Sequence, residues 1–378
     1  MSSRFRLLYV VTEDWFFCSH FLDRARVARE RGHLVAVAAR EGRHRKAIQS
    51  EGFKFFPIPL RRRNINPVAE LSLLFRIVRV YKQFCPNVVH QIGAKPILYG
   101  TIAARLAGVD HIVNAPIGMG YVFSSDKLLA RALRPFLKLA YKFAINPSHS
   151  RVIFENHEDR ATFVNWGAVR QSDTILIPGA GVDLHAFRPS TANRIEPTIV
   201  LTARMLEDKG ISEFVAAARL LRSRGIHARF VLAGAPDPVN PTSISDATLA
   251  QWHREGWVEY WGWQEDVAGV LRQADVVCLP SYREGLPKSL IEACACGLPI
   301  VTTDTTGCRE VVTDGENGFL VSVKSVEPLA AALERLIMDP DLRHRMGAAG
   351  RKRAEQLYDT VKIAASTLQV YEDLYKLN

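Results

Sequence analysis

The stretch Ser281-Tyr-Arg-Glu-Gly-Leu-Pro-Lys-Ser-Leu-Ile-Glu-Ala293 decides how the rest of the chain is interpreted. An apolar run that ends near Leu279 precedes it, so Glu284 is predicted to lie in a turn directly after a buried strand. Pro287 suits the first turn of a helix, and Glu292 then lies just over one turn inside that helix. The stretch therefore predicts a strand–turn–helix unit that carries two carboxylates.

Strand-like and helix-like segments alternate on both sides of this unit. The pattern stops at a polar stretch with two prolines, residues 186–197, and restarts at Thr198–Thr202. Repeated strand–helix units imply parallel sheets covered on both faces, with ligands at the carboxyl ends of the strands. We predict an α/β chain with two Rossmann-like domains facing across a cleft: residues 1–185, a linker at 186–197, residues 198–355, and a final helix at 356–378.

Composition excludes several classes of protein. The chain has 378 residues, of which 48% are hydrophobic and 23% charged, as in a globular protein. Its apolar runs are far shorter than the roughly 18 residues of a membrane span, and the N-terminus does not resemble a signal peptide. Six cysteines do not make a disulfide scaffold. We interpret Cys294 and Cys296 as core thiols of a reduced, cytoplasmic protein, with metal binding as the alternative.

The net charge of +10 is unevenly distributed. Residues 1–190 contain 28 Lys and Arg against 14 Asp and Glu, whereas residues 191–378 contain 21 against 25. Basic surfaces attract nucleic acids, anionic lipids or phosphorylated ligands. The asymmetry therefore indicates two domains with different partners.

The two glutamates lie beside a predicted anion site, because a helix N-terminus offers unpaired N–H groups and the positive end of the helix dipole. A nucleotide sugar suits this arrangement, since Glu284 and Glu292 can accept hydrogen bonds from sugar and ribose hydroxyls. The turn Gly285-Leu286-Pro287 would let the backbone approach the ligand. The alternative interpretation is a solvated acidic loop before an ordinary helix.

Two cations follow the first strand of the second domain. Arg204 leaves its end and Lys209 lies at the start of the next helix, so together they could clamp a diphosphate and stabilise its charge as it leaves. Turns at Gly234 and at Trp263 and Gln264 could line a pocket for the base. Surface charges and ordinary turns are the respective alternatives.

These motifs resemble the GT-B fold glycosyltransferases of retaining family 4, also called group 1, over about residues 180–340. The resemblance rests on Gly179–Asp183, Arg204 with Lys209, Glu284 to Glu292, and the turn Asp314–Gly318. It implies that Arg204 and Lys209 hold the donor diphosphate, that Glu292 binds the ribose and that Glu284 contacts the transferred sugar. It also implies that the final helix crosses back to the first domain.

The first domain departs from the family pattern. Residues 12–20, with aromatics and His20, replace the Gly-Gly loop of many relatives. The sugar-contacting histidine of many relatives is absent from residues 113–123, where Ile117 takes its place. Similar loops occur in the subset of bacterial polysaccharide enzymes with lipid-linked acceptors. Candidate acceptor-side residues are His20, His90, Lys95, Gly118 and Gly120, and both histidines could instead belong to the scaffold.

Residues 127–145 place basic side chains at helical spacing with leucines and aromatics between them, and Arg61–Arg63 could extend the basic patch. Such a helix can lie on an anionic membrane, although a core-packed helix with a solvated basic face is the alternative.

We predict a retaining hexosyltransferase that moves a sugar from a UDP-sugar to a polyprenyl-diphosphate-linked glycan, at the inner face of the cytoplasmic membrane. No cofactor or metal is expected, because the basic pair takes over the neutralising role of a metal, and no nucleic acid partner is expected. The alternatives are a nucleotide-sugar hydrolase or epimerase that uses His20 or His90 as a second acid or base, and a non-enzymatic nucleotide-binding protein.

Overall fold

The computed structural model describes residues 4–61, 66–117, 128–190, 196–238 and 240–376, without the side chains of residues 128–130. The chain forms two compact units. The first comprises Met1–Ala180 and Thr360–Asn378, and the second comprises Gly181–Asp359.

The first unit contains a seven-stranded parallel sheet in the order β3-β2-β1-β4-β5-β6-β7. Its strands are β1 Arg6–Glu13, β2 Leu34–Arg40, β3 Lys54–Pro57, β4 Val88–Ile92, β5 His111–Ala115, β6 Ser150–Phe154 and β7 Thr174–Leu176. Its helices are α1 Asp14–His20, α2 Leu22–Glu30, α3 Arg45–Ser50, α4 Pro67–Phe84, α5 Ala94–Ala107, α6 Leu128–Ala144, α7 His157–Asn165 and, at the end of the chain, α15 Thr360–Tyr375.

Helices cover both faces of this sheet, because alternate side chains of each strand point to opposite faces. In β1, Leu7 and Tyr9 pack with α1, α2 and α15, whereas Leu8 and Val10 pack with α4 and α5. Helix α6 joins α5 on that second face, over Val152 of β6. The first unit is therefore a three-layer α/β structure, as the alternating pattern predicts.

The second unit contains a six-stranded parallel sheet in the order β10-β9-β8-β11-β12-β13. Its strands are β8 Thr198–Thr202, β9 Arg229–Ala233, β10 Glu259–Gly262, β11 Val276–Leu279, β12 Ile300–Thr303 and β13 Gly318–Val321. Its helices are α8 Ile211–Ser223, α9 Asp246–Arg254, α10 Val267–Leu271, α11 Lys288–Ala295, α12 Thr306–Val311, α13 Val326–Met338 and α14 Pro340–Leu357.

The passages between the units differ from the predicted boundaries. The chain enters the second unit at Gly181 rather than at residue 186. The described part of the predicted linker packs on the second core through Phe187, whose carbonyl accepts a hydrogen bond from Arg351 at 2.9 Å. The sequence pattern missed this because a polar, proline-containing stretch can still be anchored by one aromatic side chain.

The helical pattern from about Ala348 onward predicts one continuous helix to the end of the chain, and this prediction is wrong. The structure has two helices there, α14 and α15, which are separated at Tyr358 and Asp359. The Tyr358 ring is buried, its hydroxyl donates to the Glu310 carbonyl at 2.7 Å, and its own carbonyl accepts from the Val182 amide at 2.7 Å. These tertiary contacts override a helical pattern that has no Gly or Pro after Gly350. Helix α15 belongs to the first unit, as the crossing helix of the prediction requires.

Two further segments differ from the sequence interpretation. Residues 14–20 form helix α1 instead of a loop. The turn residues between Thr306 and Gly318 predict a loop, a strand and a turn, whereas residues 306–311 form helix α12. In both, residues with weak helix propensity are held by buried contacts, such as those of Phe17 and Cys308.

Candidate active site

The strand order of the second unit creates a crevice at its sheet edge. Strand β8 lies between β9 and β11, so the connections that follow β8 and β11 diverge to opposite faces. Ligands of open α/β sheets bind at such a switch point, outside the carboxyl ends of the strands. The segment 203–210, which follows β8, and the segment 280–287, which follows β11, meet there.

Hydrogen bonds to one backbone carbonyl hold these two segments together. The Ser281 hydroxyl and the Tyr282 amide both donate to the Asp208 carbonyl, each at 2.9 Å. Gly210 has φ +71°, and a Cβ at this position would lie 2.1 Å from the Pro280 carbonyl oxygen. Glycine is therefore required where helix α8 begins against the end of β11.

Lys209 and Glu284 form an ion pair across this junction. The Lys209 Nζ lies 2.5 Å from Glu284 Oε1, and both side chains are largely buried. The 3₁₀ turn Glu207–Lys209 presents the lysine, and the turn after β11 presents the glutamate. The structure thus brings together one cation and one carboxylate that the sequence predicted separately.

Arg204 lies beside a different acidic residue. Its Nη1 is 2.7 Å from Asp237 Oδ2, and the guanidinium is exposed. Asp237 belongs to the loop after β9, which folds back along residues 205–208 through hydrogen bonds such as Met205 N to Ala235 O and Ile244 N to Met205 O. Both predicted cations therefore lie at the edge of one sheet, and each already has a carboxylate partner.

Glu292 lies in the second turn of α11 and is buried. Burial raises the pKa of its carboxyl, and the ammonium of Lys288, 3.6 Å away, opposes that shift. A buried carboxylate near a single cation keeps the capacity to accept hydrogen bonds from a ligand diol.

The turn 285–287 packs directly against Gly307, a residue that the sequence did not connect with this turn. A Cβ on Gly307 would lie 2.4 Å from the Gly285 carbonyl oxygen, and the Gly307 amide donates to the Glu284 carbonyl at 3.2 Å. Leu286 packs on the core, and Pro287 is the residue immediately before helix α11 rather than part of its first turn.

The proposed base pocket contains one structural glycine and one exposed aromatic. Gly234 has φ +150°, and a Cβ there would lie 1.7 Å from the Ala203 carbonyl oxygen, so its close approach to the β8 edge requires glycine. Trp263 is 75% exposed after β10. The Gln264 amide donates to the Trp261 carbonyl at 2.7 Å.

The prediction that His90 contacts an acceptor is wrong for this structure. Its side chain is 0% exposed, and its Nδ1 lies 2.7 Å from the Tyr371 hydroxyl of α15, which donates to Tyr9 at 3.2 Å. Burial lowers the pKa of His90 well below its usual range, so the imidazole is neutral. His90 is a scaffold histidine that joins β4 to the returning helix.

The remaining acceptor-side candidates are spread over the first unit. His20 is half-buried and stacks on Phe16 with ring centroids 4.1 Å apart. Lys95, in the first turn of α5, lies 2.7 Å from the buried Glu70. Ile117 is half-buried against the core, and Gly118 and Gly120 lie outside the described residues.

Helix α6 has three faces rather than the two that the sequence suggested. Tyr141 and Ala144 are buried against the unit. The basic side chains lie on a second strip, where Lys138 Nζ is 4.6 Å from the centroid of the Trp166 ring system. A third strip of large apolar side chains is exposed: Leu133, Phe136, Leu139 and Phe143. Lys127, Arg62 and Arg63 lie outside the described residues, and Arg61 is exposed.

Within the described ranges, no cluster of three or more His, Cys, Asp or Glu side chains could hold a metal ion. The one Asp-x-Asp in the sequence, at Asp339 and Asp341, stands at the start of helix α14, where Asp339 accepts a hydrogen bond from the Leu342 amide. Cys294 and Cys296 are buried in the second core, and burial raises the pKa of both thiols to about 12.

In the part of the chain that the structure describes, no helix is long and apolar enough to span a bilayer.

Sequence reasoning missed the two partners that complete the ion pairs. Lys288 stands four residues before Glu292, a spacing that predicts an interaction on a helix. Asp237 has no such signal, because a loop after a different strand brings it to Arg204.

Two family models match the chain. Glycosyl transferase 4-like matches residues 6–156, and Glycosyl transferases group 1 matches residues 185–353. Together they cover β1 to β6 of the first sheet, all six strands of the second sheet and the whole stretch from Arg204 to Glu292. The fold and site define a GT-B glycosyltransferase. The chain belongs to the group 1 glycosyl transferase family.

Curated relatives match over most of their length. An N,N'-diacetylbacillosaminyl-diphospho-undecaprenol alpha-1,3-N-acetylgalactosaminyltransferase of Campylobacter jejuni is 27% identical over 92% of this chain and 93% of the relative. A UDP-Gal:alpha-D-GlcNAc-diphosphoundecaprenol alpha-1,3-galactosyltransferase of Escherichia coli is 26% identical over 86% and 85%. An alpha-maltose-1-phosphate synthase of Mycolicibacterium smegmatis is 30% identical over 75% and 78%.

The fold is similar to that of solved structures. Sucrose-phosphate synthase from Thermosynechococcus elongatus superposes with a TM-score of 0.81 at 19% identity, over 99% of this chain and 100% of that one. This likeness confirms the predicted GT-B fold class of two Rossmann-like domains.

Proposed function

We propose that this glycosyltransferase moves a sugar from a UDP-sugar to a glycan linked to a polyprenyl diphosphate, with retention of anomeric configuration and without a metal ion. The observation that carries the proposal is the Lys209–Glu284 pair at the switch point of the second sheet, with Glu292 buried in the helix that follows.

The donor would enter by replacing internal partners of the two cations. Lys209 is held by Glu284 and Arg204 by Asp237. A diphosphate carries more negative charge than either carboxylate, so it would draw both cations to itself. Glu284, released from Lys209, would then be able to accept hydrogen bonds from the hydroxyls of the transferred sugar.

Transfer would exchange one bond at the anomeric carbon for another. The bond to the diphosphate oxygen breaks as a bond to the acceptor hydroxyl oxygen forms on the same face, and the hydroxyl proton passes to the departing diphosphate. Arg204 and Lys209 would stabilise the charge on the leaving group, and Glu284 would stabilise positive charge at the anomeric carbon. Glu292 would hold the ribose by accepting hydrogen bonds from its hydroxyls.

The acceptor and donor classes are supported by the relatives. Two of them, matched over most of their length, carry undecaprenol-linked acceptors in their names, and one carries UDP-Gal. An acceptor with such a tail resides in a membrane. We therefore also propose a peripheral location at the inner face of the cytoplasmic membrane, with helix α6 in contact with anionic lipid.

The test is a transfer assay with a panel of UDP-sugars and a polyprenyl-diphosphate-linked saccharide, carried out in EDTA. The expected product is heavier by one sugar, and its new linkage has the anomeric configuration of the donor by NMR. Absence of product with every UDP-sugar, from protein that unfolds cooperatively, would contradict the proposal. Activity that disappears in EDTA and returns with Mg²⁺ would overturn its metal-free part.

The hydrolase or epimerase alternative needs His20 or His90 as a second acid or base, and His90 is buried with a lowered pKa. Incubation of a UDP-sugar without acceptor tests the alternative with His20 in that role. Slow release of free sugar, well below the rate of transfer, is expected. Hydrolysis as fast as transfer would favour the alternative.

A further inference from the structure

Three neighbouring helices of the first unit expose large apolar side chains. Helix α5 packs between α4 and α6 on one face of the sheet. The exposed side chains are Val68, Leu71 and Phe75 on α4, Ile102 and Leu106 on α5, and Leu133, Phe136, Leu139 and Phe143 on α6. We call these three helices the basic layer. Phe136 is 72% and Phe143 67% exposed. The rest of the unit therefore does not cover the apolar side chains on this face.

The apolar positions follow helical spacing on each helix. Positions 68, 71 and 75 form one strip of α4, and positions 102 and 106 form one strip of α5. Between α5 and α6, Arg105 Nη2 donates to the Phe143 carbonyl at 3.3 Å. The last turns of the two helices, which carry Leu106 and Phe143, therefore lie side by side.

The charges of the basic layer are almost all positive. Every charged residue in α4, α5 and α6 is Lys or Arg except Glu70, and Glu70 is buried beside Lys95. Exposed cations flank the apolar strips: Arg76, Arg79, Lys82, Arg105, Arg131, Lys138 and Lys142. The opposite helical layer, α1, α2 and α15, contains both signs, with Asp23, Glu30, Glu372 and Asp373 among its acids.

We propose that the whole basic layer, and not α6 alone, is the surface by which this protein docks on an anionic phospholipid bilayer. The inference rests on the proposed membrane contact and extends it to α4 and α5. Apolar side chains insert at the boundary between headgroups and acyl chains, while the flanking cations attract anionic lipid. A membrane satisfies both features of the layer at once.

The test is sedimentation of the full chain with vesicles of phosphatidylglycerol and phosphatidylcholine, and with vesicles of phosphatidylcholine alone. The wild-type protein is expected to bind the anionic vesicles at least tenfold more strongly, and high salt is expected to weaken that binding. Binding to neither vesicle would overturn the proposal.

Paired substitutions separate the three helices. Leu71→Ser with Phe75→Ser, Ile102→Ser with Leu106→Ser, and Phe136→Ser with Phe143→Ser are each expected to weaken binding by about tenfold, since each pair removes apolar surface from the bilayer. The matched control is Leu34→Ser with Met338→Ser, which are 64% and 69% exposed outside the layer. It is expected to bind like the wild type.

The outcomes distinguish a bilayer on the whole basic layer from a bilayer on α6 alone and from a second copy of the chain. If only the α6 pair loses binding, the membrane contact is confined to α6 and the extended surface is wrong. If the wild-type protein forms dimers in analytical ultracentrifugation that the pairs disrupt, without vesicle binding, the layer is a self-association face. Stabilisation by a UDP-sugar in solution needs no membrane, so failure of the donor assignment is detected separately.

Discussion

The two sheets share one strand order around their switch points but carry opposite charges there. In the second unit, cations follow the first strand of the sheet and a carboxylate follows the fourth, and Lys209 with Glu284 spans the switch point. In the first unit, carboxylates stand at the last position of β1 and directly after it, and a cation follows β4. There Glu13 pairs with Arg40, and Lys95 pairs with Glu70.

The difference lies in what the side chains contact. In the first unit the carboxylate of Asp14 accepts the amides of Gly42 and His44 at 2.7 and 3.0 Å, so it serves to fix a loop. In the second unit the charged groups pair across the crevice, where a ligand can replace one partner. The strand order creates two possible sites, and the side-chain partners favour the second as the place for a charged donor.

The largest expected effect comes from breaking the pair that spans the switch point. Lys209→Met and Glu284→Gln should each lower kcat/KM by about 10²–10³-fold, because each removes a group that stabilises developing charge. Steady-state transfer rates measure this. Lys95→Met is the matched change in the first unit. It should lower the stability of the protein, because Glu70 stays buried without its cation, but it should leave the stabilisation by donor unchanged. If Lys95→Met lost donor binding as much as Lys209→Met, the difference between the two sheets would disappear.

Glu292→Gln should raise the KM for the donor about tenfold, since a charged acceptor of hydrogen bonds is lost. The same change should make the free protein more stable at pH 7. Burial raises the pKa of Glu292, so the folded state binds a proton more tightly than the unfolded state and loses stability as pH rises above about 4.3. Urea titrations from pH 4 to 8 should show the variant's advantage growing with pH. An advantage that is independent of pH would contradict this explanation.

Tyr371→Phe sharpens the interpretation of the first unit. It removes the hydroxyl that meets His90 and should cost about 1–3 kcal/mol in the free energy of unfolding, because a buried nitrogen loses its partner. Transfer kinetics should stay within twofold of the wild type. A specific rise in the acceptor KM with unchanged stability would instead restore His90 to the acceptor side.

Asp237→Asn should have the smallest effect. An exposed ion pair contributes at most about 1 kcal/mol, and the diphosphate competes with Asp237 for Arg204. We expect UDP to bind about two- to threefold more tightly at low salt, measured by calorimetry, with the gain lost at high salt. Weaker binding would mean that Asp237 positions Arg204 for the donor.

Much of the fold could be predicted from the sequence. Short apolar segments alternate with segments of helical spacing, and such a pattern is typical of parallel sheets with helices on both faces. The division of the last helix at Tyr358 could not be predicted, since it depends on contacts with Val182 and Glu310 far away in the chain.

The residues of the proposed donor site could be singled out from the sequence because they follow two strands, β8 and β11, each of which leads into a helix. Those of the first unit were harder. The sequence around a histidine in a strand is the same whether its side chain faces a ligand or a neighbouring helix. The role of His90 depends on its contact with Tyr371 of α15, 281 residues later in the chain. The exposed strips of α4 and α5 were also missed, because a helix with apolar residues on more than one side resembles a buried helix.

Thermal unfolding with a panel of UDP-, GDP-, ADP- and TDP-sugars in EDTA tests the central claim most directly, because a ligand stabilises the state that binds it. The account predicts that a UDP-sugar raises the melting temperature of the wild type, and that this shift is smaller in Lys209→Met and Glu292→Gln but unchanged in Lys95→Met. A cooperative transition that no nucleotide sugar moves, or a shift that is undiminished in both second-unit variants, would contradict the donor site at the switch point of the second sheet.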